Sequence, residues 1–128
     1  MNKLCLLLLS ALICYGEVGW SSEQEISLGK DQSHTLRLLV DSNDLRELSL
    51  KWTLFVDGGL VLLAKYDSFH QHTILYQKSK KDAIRINLNA KSRRGVIPPY
   101  VAIFFKGYDQ SKKSATLKIA TYGDVYIQ

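Results

Sequence analysis

The feature that most constrains this chain is a two-residue hydrophobic period. Across residues 48–56, Leu48, Leu50, Trp52, Leu54 and Val56 alternate with Ser49, Lys51, Thr53 and Phe55. Residues two apart share one face of a strand, whereas an amphipathic helix needs a period near 3.6. Asp57-Gly58-Gly59 follows, and residues 60–66 are apolar again. Asp-Gly between two such runs predicts a hairpin, because glycine accepts the positive φ that a tight turn requires.

The same period recurs along the chain. Leu36, Leu38 and Val40 fall on one face of a strand over residues 34–40. A strand over 73–78 follows the turn-like Asp67-Ser68. Ile84, Ile86 and Leu88 point opposite to Arg85 and Asn87, and Leu117 and Ile119 opposite to Thr116 and Lys118. Residues 100–108 form a long apolar strand, 125–127 a closing one and 25–28 a weak opening one. No segment has a convincing helical pattern. Seven to nine short strands with turn signals between them predict an all-β fold, an antiparallel β-sandwich. A small β-barrel is the alternative.

Residues 1–21 read as a signal peptide. Lys3 supplies a positive charge, a short apolar run follows, and small residues allow a cut after Gly16 or after Ser21. The run is too short to cross a bilayer, which takes about 20 residues, and no later segment is a transmembrane candidate. Lipid anchoring at Cys14 is disfavoured by the bulky Ile13 before it. The chain is therefore expected to be exported, to a periplasm in preference to an extracellular medium. Either cut removes Cys5 and Cys14, the only cysteines, so packing alone must hold the fold. Residues 22–128 make one all-β domain, since about 110 residues suffice for a single core and not for two.

The formal net charge of +5 is unevenly spread. Residues 17–57 carry four basic and eight acidic side chains, and residues 58–113 carry eleven basic and three acidic. The later part therefore favours anionic partners. Its cations cluster in predicted loops as Lys78, Lys80 and Lys81, as Lys91, Arg93 and Arg94, and as Lys112 and Lys113. In an antiparallel fold the loops at 79–82 and 109–114 share an end with the 57–59 turn. They are candidate contacts for an anionic glycan, a lipid headgroup or an acidic protein. An exported protein has little occasion to meet nucleic acid. Loop cations also serve solubility alone.

His70 and His72 lie two apart, so in an extended segment both imidazoles point to one side. They could bind zinc or copper if Asp67 or His34 supplied a third ligand. This is the one metal-dependent reading the sequence offers. There is no Gly-x-Ser-x-Gly nucleophile motif and no glycine-rich phosphate loop leading into a helix, so no motif names an activity or a cofactor. Residues 100–108 are apolar on both faces, and an ordinary sandwich strand has one face in the core. The second face needs a cover: the chain's own N-terminal segment around Trp20 to Leu28, closure into a barrel, or a partner subunit. With a partner subunit, Val101, Ile103 and Phe105 would be the interface. The function expected is a non-catalytic binding or assembly module, acting on a protein partner, a second copy or an anionic ligand.

Overall fold

The computed structural model describes residues 19–77, 79, 81–88 and 97–128. Residues 1–18 of the expected signal peptide, together with Lys78, Lys80, Lys91, Arg93 and Arg94, lie outside the described residues. Nine strands follow one another: β1 (Ser22–Gly29), β2 (Ser33–Val40), β3 (Asp44–Val56), β4 (Gly59–Tyr66), β5 (Phe69–Tyr76), β6 (Ala83–Asn87), β7 (Tyr100–Asp109), β8 (Ser114–Tyr122) and β9 (Val125–Ile127). They form two antiparallel sheets, β1-β8-β7-β6 and β5-β4-β3-β2-β9, that pack face to face without closing into a barrel. The architecture is a β-sandwich, as the period of two predicts. The turns at 57–58 and 110–113 share one end of it with Gln77, Lys81 and Asp82, which lie between β5 and β6.

The hairpin over 57–58 forms as expected. Asp57 and Gly58 both take positive φ, 53° and 78°, the signature of the turn whose twist suits paired strands. The strand before it departs from simple alternation. Leu48, Leu50 and Trp52 are buried as predicted, but the pairing of β3 with β4 shifts between Trp52 and Leu54. This bulge adds one residue and reverses the facing of everything after it. Phe55 therefore turns inward, stacked on Tyr108 at 4.0 Å and edge-on to Phe105 at 5.9 Å. Leu54 and Val56, expected in the core, are 49 % and 52 % exposed.

The long strand β7 resolves its two apolar faces within the chain. Val101, Ile103 and Phe105 are 0 %, 0 % and 2 % exposed and belong to the core between the sheets. They are not available as an interface, because the second sheet already covers them. The opposite face carries Tyr100, Ala102 and Phe104, and the chain's own Trp20 lies over it. The indole meets Tyr100 and Phe104 edge-on, with centroids 6.1 Å and 5.9 Å apart. Tyr100 also stacks on Tyr122 at 5.0 Å and carries the Arg85 guanidinium 3.7 Å above its ring.

One flank of the sandwich is sewn shut. The Ile127 N–H donates to Ser22 Oγ at 3.0 Å, Ser22 and Thr121 share a hydroxyl hydrogen bond of 2.6 Å, and Thr121 donates to the Val125 carbonyl at 2.8 Å. Thr121 is thus a buried polar side chain with its hydrogen-bonding capacity used. Among the described residues the other flank, between β5 and β6, is bridged by the backbone only where the Tyr76 N–H donates to the Lys81 carbonyl.

Candidate binding edge

β5 begins after Asp67, which takes the positive φ of 51° that its two-residue turn requires. Its Phe, Thr, Ile and Tyr residues favour an extended chain. It pairs with β4 in unbroken register from Gly59↔Tyr76 to Tyr66↔Phe69 and is the last strand of its sheet. Edge strands are ordinarily shortened, bulged or charged, because their open backbone invites further pairing. Three of the four edges here follow that rule: β9 has three residues, β6 has five with Arg85 among them, and β1 carries Glu23 and Glu25. β5 has eight residues, no lysine, arginine, aspartate, glutamate or proline, and no bulge.

The direction of its open backbone follows from one hydrogen bond. The Tyr76 N–H points away from β4 and donates to the Lys81 carbonyl at 2.9 Å. Peptide groups alternate along a strand. The N–H and C=O groups of Ile74, His72 and His70 therefore point the same way, to the open edge. Among the described residues no strand pairs with that edge.

The sheet surface beside this edge is apolar at one corner. The register places Val56, Gly59 and Tyr76 in one row and Leu54, Val61 and Ile74 in the next. Leu54 and Val56 were turned outward by the bulge; Ile74 and Tyr76 are 47 % and 38 % exposed. Gly59 is more than a turn former. A Cβ there would lie 2.9 Å from Tyr76 Cε1 and 3.0 Å from Ile74 Cγ2, so its bare backbone lets the Tyr76 ring lie down across β4. Further along the same face come Lys51, Leu63 and His72, then Ser49, Lys65 and His70.

The gap between β5 and β6 is a groove. One part, about 360 Å³, is lined by Tyr66, Asp67, Phe69, Gln71, Arg85 and Asn87. Another, about 460 Å³, runs past the residues from His72 to Tyr76 to Lys81 and Ala83. Arg46 anchors the first part, donating to Asp44 at 2.9 Å and to Asp67 at 3.0 Å. The Asp44 hydrogen bond is the main reason its guanidinium holds its proton more firmly than usual. Tyr66 closes the groove floor, its hydroxyl donating to the Leu88 carbonyl at 3.1 Å. Burial pushes the Tyr66 pKa up, and the nearby Arg46 offsets part of that rise.

The residues singled out from sequence are distributed over this frame. His70 and His72 do share a side, the outer face of β5. The expected third ligand does not arrive: His34 pairs opposite the buried Leu50 and so belongs to the inner face of its sheet, and Asp67 is held by Arg46. Lys65, a cation, is the residue opposite His70. Among the described residues no three histidine, cysteine or carboxylate side chains gather at one point. Lys81 sits beside the open edge, while Lys112 and Lys113 occupy the β7–β8 turn at the same end. That turn is ordered by Asp109, which accepts from the Ser111 hydroxyl at 2.6 Å and from the Lys112 N–H at 3.3 Å. The Ser111 bond is the leading cause of a lowered Asp109 pKa. Sequence reasoning missed β5 as an edge because sheet order is not written in a periodicity. The available signal was the absence of any fully charged residue from 69 to 76.

Compared with protein-family models, with curated proteins and with solved structures, the chain matches none.

Proposed function

We propose that this chain is an exported, non-catalytic binding or assembly module that takes hold of a protein partner at β5 and the apolar corner beside it. The observation that carries this reading is the corner itself. Leu54, Val56, Ile74 and Tyr76 are neighbours by register, all more than a third exposed, and adjacent to an open strand edge. Contiguous apolar surface next to unpaired backbone is what protein contacts use.

A native mass spectrum of the protein purified gently from its own host tests it. The intact chain is expected to retain a polypeptide partner, and Ile74→Glu should reduce the bound fraction at least tenfold. Loss of a central apolar anchor costs about 2 kcal/mol of binding, and 1.4 kcal/mol is a factor of about ten. The same change should alter folding stability by less than about 0.5 kcal/mol, as surface substitutions do. A bare monomer before substitution, or a complex indifferent to it, would refute the reading.

Export rests on the composition of residues 1–21, and the packing of Trp20 favours cleavage after Gly16 over cleavage after Ser21. The Ser21 N–H donates to the Thr121 carbonyl at 2.7 Å, and its hydroxyl donates to the Gly123 carbonyl. A cut after Ser21 would remove both bonds and strip the indole from Tyr100 and Phe104. The mass of the exported protein should therefore be that of residues 17–128. A mass of residues 22–128 would reject this assignment.

A further inference from the structure

We infer that the partner adds to β5 as a sixth strand of its sheet, and that the added segment is an extended, acidic stretch of polypeptide. This inference rests on the module reading above and specifies its ligand. The backbone supplies the first reason. His70, His72 and Ile74 each direct one N–H and one C=O to the open edge, a spacing that only another strand matches repeatedly.

Charge supplies the second. Cations flank β5 on both sides: Lys65 and Lys51 on the outer face and Lys81 in the groove. None of the three is in a salt bridge among the described residues. Arg85, on the far wall of the groove, keeps its guanidinium over the Tyr100 ring. Of the acids beside them, Asp67 is neutralised by Arg46, while Glu47 near Lys65 and Asp82 in the β5–β6 turn offset part of this charge. A segment bearing carboxylates and apolar side chains satisfies both the cations and the Ile74–Tyr76 corner. A second copy of this chain fits less well, since symmetric pairing of two β5 edges would bring two basic flanks together.

The test uses the ¹⁵N-labelled exported protein and two blocked ten-residue peptides, one alternating valine with glutamate and one alternating valine with lysine. Amide hydrogen exchange is followed residue by residue. The glutamate peptide is expected to slow exchange at His70, His72 and Ile74 at least tenfold, and the lysine peptide is not. His72→Pro removes one outward N–H while sparing the bonds to β4, a position where an edge strand tolerates proline, and should cut affinity about tenfold, the worth of about one net hydrogen bond with some strain. Lys65→Glu, at an exposed site, should weaken the glutamate peptide and strengthen the lysine peptide. Shifts at the Ile74 corner without protection of the three amides would overturn strand addition while leaving the module reading intact. Equal binding of both peptides would overturn the acidic specificity. Protection of the three amides without any peptide, rising with protein concentration, would assign the edge to a second copy. No response to either peptide, with a partner still present in the native spectrum, would place that partner elsewhere and overturn the inference.

Discussion

Ile103→Asp should leave almost no folded protein at neutral pH and 25 °C. Ile103 is fully buried between the sheets, where a carboxylate finds no partner in the surrounding apolar cluster. Desolvation raises a buried carboxyl's pKa by up to about 3–5 units, at 1.36 kcal/mol per unit. Lost isoleucine burial adds about 1.5–3 kcal/mol. Together these rival the whole stability of an ordinary domain, about 5–15 kcal/mol. The sign with pH follows. A carboxyl whose folded pKa lies above its unfolded value takes up protons on folding, so the variant should lose stability as pH rises and recover part of it in acid, below the ordinary carboxylate range. Far-UV circular dichroism and a urea titration at pH 7 and pH 3.5 read both effects. Leu54→Asp, on the outer corner, should keep its urea midpoint within about 0.5 kcal/mol of the parent. Were Ile103 an interface residue instead, its variant would fold normally as a monomer and fail only to assemble. That outcome would contradict the placement of β7.

The contrast between Ile103 and Leu54 also marks how far the sequence could be read. Alternation finds strands and their two faces, and it found β3 as far as Trp52 and β8 with their inward side chains; for β7 it separated the two faces but offered Val101, Ile103 and Phe105 as an interface, where the fold buries them. It cannot count a bulge. One added residue after Trp52 exchanged Phe55 for Leu54 and Val56, and with that exchange created the exposed corner. Nor does alternation say which strand ends a sheet, since that depends on pairings between distant segments. The sequence places a strand at 73–78, whereas β5 runs Phe69–Tyr76, and it is recognisable as an open edge only once β6 is known to join the other sheet. The second apolar face of β7 was legible as a problem, and the segment around Trp20 as one of its three solutions. The basic loops were legible as charge, whereas the cations that matter to β5 include Lys51 and Lys65, brought beside it by strand register rather than by sequence proximity.

Trp52→Ala should cost about 3–5 kcal/mol, the usual result of emptying a buried aromatic site, and its consequences should reach the exposed apolar corner. The indole is buried beneath β1, its N–H donating to the Leu28 carbonyl at 2.6 Å, while the Trp52 carbonyl accepts from the Asp31 N–H at 2.9 Å. The side chain therefore ties β1 in one sheet to β3 in the other. Alanine leaves the Leu28 carbonyl without its donor in a dry environment, a further penalty of about 1–3 kcal/mol unless water enters. Phenylalanine refills most of the volume and loses mainly that bond, so Trp52→Phe should cost distinctly less. Urea midpoints at constant m-value separate the two. The ring also lies edge-on to Tyr108 at 5.8 Å, and Tyr108 is the platform on which Phe55 stacks. Phe55 is what the bulge turns inward, and Leu54 and Val56 are what it turns out. Loosening Tyr108 should therefore free Phe55 and blur the outward facing of Leu54 and Val56, seen as faster amide exchange across residues 53–56 under conditions where the variant is still folded. If Trp52→Ala lost less than about 1 kcal/mol, or destabilised the fold without disturbing residues 53–56, the corner would owe its shape to the β4 pairing alone and not to this aromatic chain across the core.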